Sequence, residues 1–137
     1  MTLSEIDTVQ QSLRSLAVTD RAAMGAVFYD KLFTDHPNLR RMFPVDMTLQ
    51  HQKLVDMLFS IVAHLDKADN FRPLLIAMGK RHLVYGVKPF HYRMVGSALL
   101  FMLQQFLKND YTRETKQAWL ACLEEVSEIM QHGKTGE

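Results

Sequence analysis

The chain has 137 residues, of which 47% are hydrophobic and 23% are charged. This length and composition are typical of one globular domain with a full hydrophobic core, and they argue against a disordered tail. Sixteen Lys and Arg stand against fifteen Asp and Glu, so the net charge gives no reason to expect a nucleic-acid-binding protein.

Cysteine content and apolar runs indicate the compartment. The single cysteine, Cys122, cannot form an internal disulfide, and the N-terminus lacks the apolar segment of a signal peptide. No stretch approaches the run of about eighteen apolar residues that a membrane span needs. We therefore expect a cytoplasmic protein with one domain over residues 1–137, and no membrane or nucleic-acid partner.

The first two elements are predicted to be helices, because apolar residues recur at helical spacing. Thr2 followed by Glu5 predicts a capping box at the start of the first helix, which ends near Ala17. The second helix begins after position 19 or 20 and ends before Pro37. Gly25 lies inside it, and an interior glycine costs about 1 kcal/mol relative to alanine. It indicates either a second backbone crossing closely or tolerated drift.

The rest of the chain continues the helical pattern, with no convincing strand signal. A short helical turn follows Pro37, and an irregular corner follows Phe43. Long helices are predicted from about Thr48 to Leu65, through residues 71–85, from residue 89 to 108, and from residue 112 to 132. The fold class is therefore all-α.

His82 lies on the apolar stripe of its helix, seven residues after Leu75 and four after Met78. An unsatisfied buried polar group costs about 1–3 kcal/mol, so an inward imidazole needs a partner. Iron is one candidate partner. From this residue alone, a hydrogen-bonded core histidine is the preferred interpretation.

Several matched points together resemble one family. They are residues 25–29, Pro37 followed by Phe43, Gln50 followed by Leu54, Arg81 and His82 before residues 86–87, and residues 91–96. In this order and spacing they are similar to the globins, and more narrowly to bacterial single-domain globins and the globin part of flavohaemoglobins. The resemblance covers about residues 3–132. It implies a globin fold of six to eight helices around one haem b.

The resemblance implies roles for the two faces of the haem. His82 becomes the proximal iron ligand, which reverses the preference stated above, and Phe43 packs on the porphyrin. Tyr29 and Gln50 become the distal residues that donate hydrogen bonds to dioxygen carrying partial negative charge. Dioxygen should therefore leave slowly.

The resemblance also implies a set of cofactor contacts. Tyr92 contacts the proximal histidine, and Lys53 and Arg81 face the haem propionates at the solvent edge. The haem cavity is lined by Phe28, Leu54, Met78, Val87 and Val95.

The chain departs from the family pattern in two places. The glutamate that contacts the proximal histidine of flavohaemoglobins would fall near Lys134, and no Gly-rich dinucleotide fingerprint of a reductase is present. A shift of one residue would place His51, with Val55, where animal globins have their distal His and Val, and would allow six-coordinate iron. Gln50 is preferred because it matches without a gap. The other histidines, at positions 36, 64, 91 and 132, are interpreted as surface residues.

These residues leave several functions open. The first is reversible binding of dioxygen, carbon monoxide and nitric oxide, for storage or delivery of dioxygen. The second is nitric oxide dioxygenation with electrons from a separate reductase. The alternatives are a haem-based gas or redox sensor with six-coordinate iron and a cofactor-free helical interaction protein. A monomer or a weak dimer is expected.

Overall fold

The computed structural model describes residues 1–133, apart from the side chain of Ala68, and this part of the chain is helical, as the sequence predicts. The α-helices are α1 (Leu3–Arg14), α2 (Arg21–Asp35), α3 (Thr48–Ala63), α4 (Ala68–Val84), α5 (Pro89–Leu107) and α6 (Arg113–His132). Short 3-10 helices, Pro37–Met42 and Lys108–Asp110, follow α2 and α5. Over residues 1–133, no helix is both long enough and apolar enough to cross a bilayer.

The helix starts follow from local hydrogen bonds. The predicted capping box is present, because the Thr2 hydroxyl accepts from the Glu5 N–H at 3.0 Å and the Glu5 carboxylate accepts from the Thr2 N–H at 2.7 Å. Asp20 caps α2 by accepting from the Ala22 N–H at 2.9 Å. The second helix therefore starts after Asp20 and not after Thr19.

Two glycines allow helices to cross at backbone contact. A Cβ on Gly25 would lie 2.1 Å from the carbonyl oxygen of His51, so α2 and α3 touch at this point. A Cβ on Gly79 would lie 1.9 Å from the carbonyl oxygen of Met130, where α4 crosses α6. The crossing at Gly25 confirms the first of the two interpretations of that residue.

The helices pack in two groups that share one core. α2 packs against α3 and α5, while α6 packs against α1 and α4. Trp119 of α6 is fully buried, and its indole N–H donates to the Ser12 hydroxyl at 2.8 Å, which fixes α6 on α1. Among the described residues, α3 and α4 make little direct contact. The two helices that carry Gln50 and His82 therefore stand apart.

Candidate functional site

His82 lies in the last turn of α4, and its ring is oriented by its own helix. Its Nδ1 is 2.7 Å from the carbonyl oxygen of Met78. Because a carbonyl can only accept, Nδ1 must carry the proton, and Nε2 then carries the lone pair. The helix thus presents Nε2 as a ligand atom, in the orientation that a metal-bound histidine usually requires.

Tyr92 of α5 lies beside this imidazole. The centroids of the two rings are 6.5 Å apart, with an interplanar angle of 32°. Burial raises the pKa of the Tyr92 hydroxyl above its ordinary value, so the side chain is a neutral phenol at physiological pH. The contact links α4 to α5 on the His82 side of the site.

Tyr29 of α2 belongs to a second cluster, where it meets Gln50 of α3. The Gln50 side-chain amide donates to the Tyr29 hydroxyl oxygen at 3.2 Å. Burial raises the pKa of Tyr29, and the hydrogen bond from Gln50 opposes this rise more weakly. Tyr29 is therefore protonated, and because its oxygen accepts from Gln50, its own O–H proton can be donated elsewhere.

Aromatic rings surround Tyr29 and fix its position. Its ring centroid lies 4.7 Å from Phe28 and 5.3 Å from Phe43, both edge to face, and 5.6 Å from Phe33. The His51 imidazole stacks on the same ring at 5.7 Å. Gln50 and His51 thus both reach Tyr29, one through the hydroxyl and the other through the ring face.

Phe43 is positioned by a residue that the sequence analysis missed. The guanidinium of Arg40 donates to the carbonyl oxygens of Phe43, Pro44 and Val45 at 3.3, 2.8 and 2.8 Å. Three donations from one side chain hold the irregular corner in a single shape. Arg40 also lies over the ring of Phe33, at 5.5 Å. The only signal in the sequence was a cation in a short helix before an irregular corner, which is too common to be informative.

The remaining candidate residues fall into three classes of exposure. Phe28, Leu54 and Met78 are buried, whereas Lys53 and Arg81 are exposed. The side chains with intermediate exposure are Phe43, Gln50, His82, Val87, Tyr92 and Val95. The structure thus brings Tyr29, Gln50, Phe28 and Phe43 together in one cluster, called the Tyr29 side, and His82, Met78 and Tyr92 in another, called the His82 side. Lys134 lies outside the described residues.

The interpretation of His91 as a surface residue was wrong. Its exposed fraction is 9%, and its Nδ1 accepts from the Lys88 N–H at 2.8 Å, which closes the first turn of α5. Burial, followed by the nearby charge of Lys88, lowers the pKa of this imidazole. His91 is therefore a capping residue.

The donor set fits a haem. One helix offers an imidazole Nε2, the tautomer that binds iron, and the helices α3 and α4 are not packed on each other. On the Tyr29 side a protonated phenol and an amide provide hydrogen-bond donors. Exposed cations on α3 and α4, Lys53 and Arg81, suit carboxylates at a solvent edge.

Comparisons with known proteins agree with this geometry. The family model for globins matches residues 26–130. A neuroglobin of Tetraodon nigroviridis is 32% identical over 129 aligned residues, which cover 82% of this chain and 81% of that protein. Neuroglobin-1 of Oncorhynchus mykiss is 29% identical over an alignment that covers all of this chain and 96% of that protein.

A flavohemoprotein of Bacillus subtilis is 34% identical over 97 aligned residues, which cover 67% of this chain and only 24% of that protein. The helical architecture, the oriented imidazole and the matched family model lead to one conclusion. This chain belongs to the globin family, whose members bind haem and, at its iron, diatomic gases such as dioxygen.

Proposed function

We propose that this globin holds haem b with His82 as the iron ligand and dioxygenates nitric oxide, using Tyr29 and Gln50 and electrons from a separate reductase. The observation that carries the proposal is the hydrogen bond from the Gln50 amide to the Tyr29 hydroxyl oxygen. This bond leaves the phenolic proton as a donor beside the ligand. We further propose that residues 1–137 form one domain around the shared core.

The cofactor contacts proposed from the family resemblance agree with the observed burial. Phe43 covers the porphyrin face, and Lys53 and Arg81 pair with the propionates. The apolar walls are provided by Phe28, Leu54, Met78, Val87 and Val95. When bound, the haem supplies a ferrous iron that binds dioxygen, carbon monoxide or nitric oxide.

Tyr29 supplies the chemistry that the chain itself contributes. Its O–H would donate to dioxygen that carries partial negative charge, and Gln50 would hold the phenol in the donating orientation. The ring cluster of Phe28, Phe33 and Phe43 keeps this donor dry. A slow release of dioxygen follows, which gives nitric oxide time to arrive. In the overall reaction, one nitric oxide, one dioxygen and one electron give one nitrate ion.

The test replaces Tyr29 by Phe in the haem-containing protein. We expect dioxygen dissociation to become faster by about 10-fold or more, since a hydrogen bond to a charged group contributes about 1.5–3 kcal/mol. Stopped-flow spectroscopy measures this rate. Tyr111→Phe is the matched control, because Tyr111 lies in the turn between α5 and α6. Equal rates for Tyr29→Phe and wild type would refute the role of Tyr29.

Nitrate production tests the enzymatic part. Nitric oxide is added to the dioxygen-loaded wild type, first once and then repeatedly in the presence of a reductant. The proposal requires one nitrate per nitric oxide and sustained turnover in the second experiment. A protein that releases dioxygen unchanged would be a carrier and not a dioxygenase.

One observation favours a second candidate, a gas or redox sensor with six-coordinate iron. The His51 imidazole is half-buried and stacks on Tyr29, so a second imidazole reaches the ligand side of the site. If His51 occupies the sixth position, the ligand-free ferrous spectrum should change from six- to five-coordinate in His51→Leu. An unchanged spectrum supports Gln50 as the distal residue.

A further inference from the structure

The near-neutral total charge conceals an uneven distribution. Six of the sixteen Lys and Arg lie between residues 70 and 109, and none of the fifteen Asp and Glu does. This segment comprises most of α4 and all of α5. The rest of the chain is accordingly acidic, so the protein has a strong charge asymmetry.

The end of α4 adds consecutive exposed apolar side chains to this charge. Leu83, Val84 and Tyr85 are 73%, 83% and 71% exposed. Together with the exposed cations Lys88 and Arg93 they form what we call the α4–α5 surface. Exposed apolar residues ringed by polar ones mark interaction sites.

The position of His82 does not explain why Val84 is apolar and exposed. At about 100° per residue, Val84 lies roughly 200° around α4 from His82, on the side of the helix facing away from the imidazole. Nor does helix stability explain the charge, because Lys88 is the N-cap of α5 and no acidic residue lies in its first turn. A cation at that end opposes the helix dipole. Within residues 1–133, Lys88 and Arg93 form no ion pair.

From these exposed apolar residues and unpaired cations we infer that the α4–α5 surface docks an acidic flavoprotein that donates single electrons. The inference rests on the proposed function, which consumes one electron for each nitrate formed. The surface begins one residue after the iron ligand, so a partner bound there is separated from the metal site by little protein. One electron would pass from the reduced flavin to the haem iron, so that the flavin is oxidised by one electron and ferric iron is reduced to ferrous.

Charge complementarity and the name of one relative support this occupant. An exposed apolar segment followed along the chain by unpaired cations suits a partner surface that combines apolar residues with carboxylates, which speeds encounter and fixes orientation. The Bacillus subtilis relative, of which this chain spans 24%, is called a flavohemoprotein, a name that joins flavin to haem protein. An anionic membrane and a second copy of this chain are the competing occupants.

Binding of oxidised flavodoxin, a small acidic flavoprotein, tests the inference without catalysis. Calorimetry at low salt should give a measurable Kd for the wild-type holoprotein. The double variant Lys88→Glu and Arg93→Glu should have a Kd at least tenfold larger. The control pair is Arg113→Glu and Lys116→Glu, which changes the net charge equally. These residues lie beyond the other end of α5, whose 19 residues span roughly 28 Å. The control should retain the wild-type Kd.

Reduction kinetics give the second readout. Reduced flavodoxin should reduce the Lys88→Glu and Arg93→Glu variant at least tenfold more slowly than wild type at low salt, and dithionite should reduce both equally. The inference is overturned if both charge-reversed pairs lose flavodoxin binding and reduction rate equally, or if neither pair loses them. Preferential binding to phosphatidylserine vesicles, or self-association that the Lys88 and Arg93 changes abolish, also overturns it. Failure of docking leaves the single addition of nitric oxide unaffected, so it is distinguishable from failure of the proposed function.

Discussion

The two sides of the site are built differently. On the Tyr29 side, α2 and α3 touch at Gly25, four rings surround the phenol, and Gln50 hydrogen-bonds to it. On the His82 side, α4 packs mainly on α6, through the crossing at Gly79, and its last turn is exposed. The Tyr29 side is therefore packed by several elements, whereas the His82 side consists of one helix that is packed mainly against one other helix.

This difference shows which part of the geometry the protein fixes by itself. Tyr29, the proposed hydrogen-bond donor for the gas, is positioned by contacts among α2, α3 and the corner at Phe43. His82, the proposed iron ligand, is positioned by the packing of α4 on α6. Segments with few buried contacts open at lower free energy than the core. We therefore expect α4 to be the first part of the site to open when haem is lost.

Alanine at the two crossing glycines should give the largest effects. Since the added Cβ would lie 2.1 Å and 1.9 Å from a backbone oxygen, the helices must separate in both Gly25→Ala and Gly79→Ala. We expect each to lower the free energy of unfolding by about 3 kcal/mol. Gly79→Ala should also accelerate haem loss, while Gly25→Ala should chiefly accelerate dioxygen release.

Gly96→Ala in α5 is the control, because the nearest atom to its added Cβ would be 4.0 Å away. It should leave stability unchanged or raise it by about 0.5–1 kcal/mol. Urea unfolding and haem transfer to an apo-globin acceptor measure the two quantities. If Gly79→Ala and Gly25→Ala affect haem loss and dioxygen release alike, the contrast between the two sides is wrong.

The sequence predicted the elements better than the contacts between them. Helices, the Thr2 capping box and the crossing at Gly25 were predictable because propensity, capping and an interior glycine are local signals. Gly79 carries the same signal and was overlooked. The Tyr29 and Gln50 positions came from the resemblance, since no local pattern places residues 21 apart within 3.2 Å. Arg40 and His91 were missed because their partners are backbone groups.

A substitution at the corner that carries Phe43 should have an intermediate effect, and it tests how the Tyr29 side is held in place. Arg40→Met removes three donations to the carbonyls of residues 43–45 and keeps the aliphatic part of the side chain. We expect a loss of about 1–2 kcal/mol in stability, because these carbonyls can turn to water. Dioxygen release should be faster as Phe43 moves, while haem affinity changes little.

Arg41→Met is the matched control for this change. Arg41 is the neighbouring cation, is exposed and makes no hydrogen bond with the described residues. Urea unfolding and stopped-flow dissociation of dioxygen compare the two variants. Equal behaviour of Arg40→Met and Arg41→Met would show that the corner does not depend on the guanidinium.

The smallest expected effect concerns pH and the His82 side. Burial, followed by the charge of Lys88, lowers the pKa of His91 in the folded protein. As the pH falls below the ordinary histidine pKa of about 6.5, the imidazole therefore becomes protonated in the unfolded chain before it does so in the folded protein. Protonation of Nδ1 would also remove the acceptor for the Lys88 N–H. The stabilisation is therefore fully present above about pH 6.5 and is lost as the pH falls further.

His91→Gln isolates this contribution. Glutamine at the third position of a helix can accept from the N-cap N–H but does not titrate, so the cap should remain at acid pH. Between pH 7.5 and 5, wild type should lose about 0.5–1 kcal/mol more stability than this variant in urea unfolding, the contribution of one hydrogen bond. The exposed His132→Gln should keep the wild-type slope. Parallel pH profiles for wild type and His91→Gln would mean that the start of α5 does not respond to pH, and that acid sensitivity arises elsewhere in the molecule.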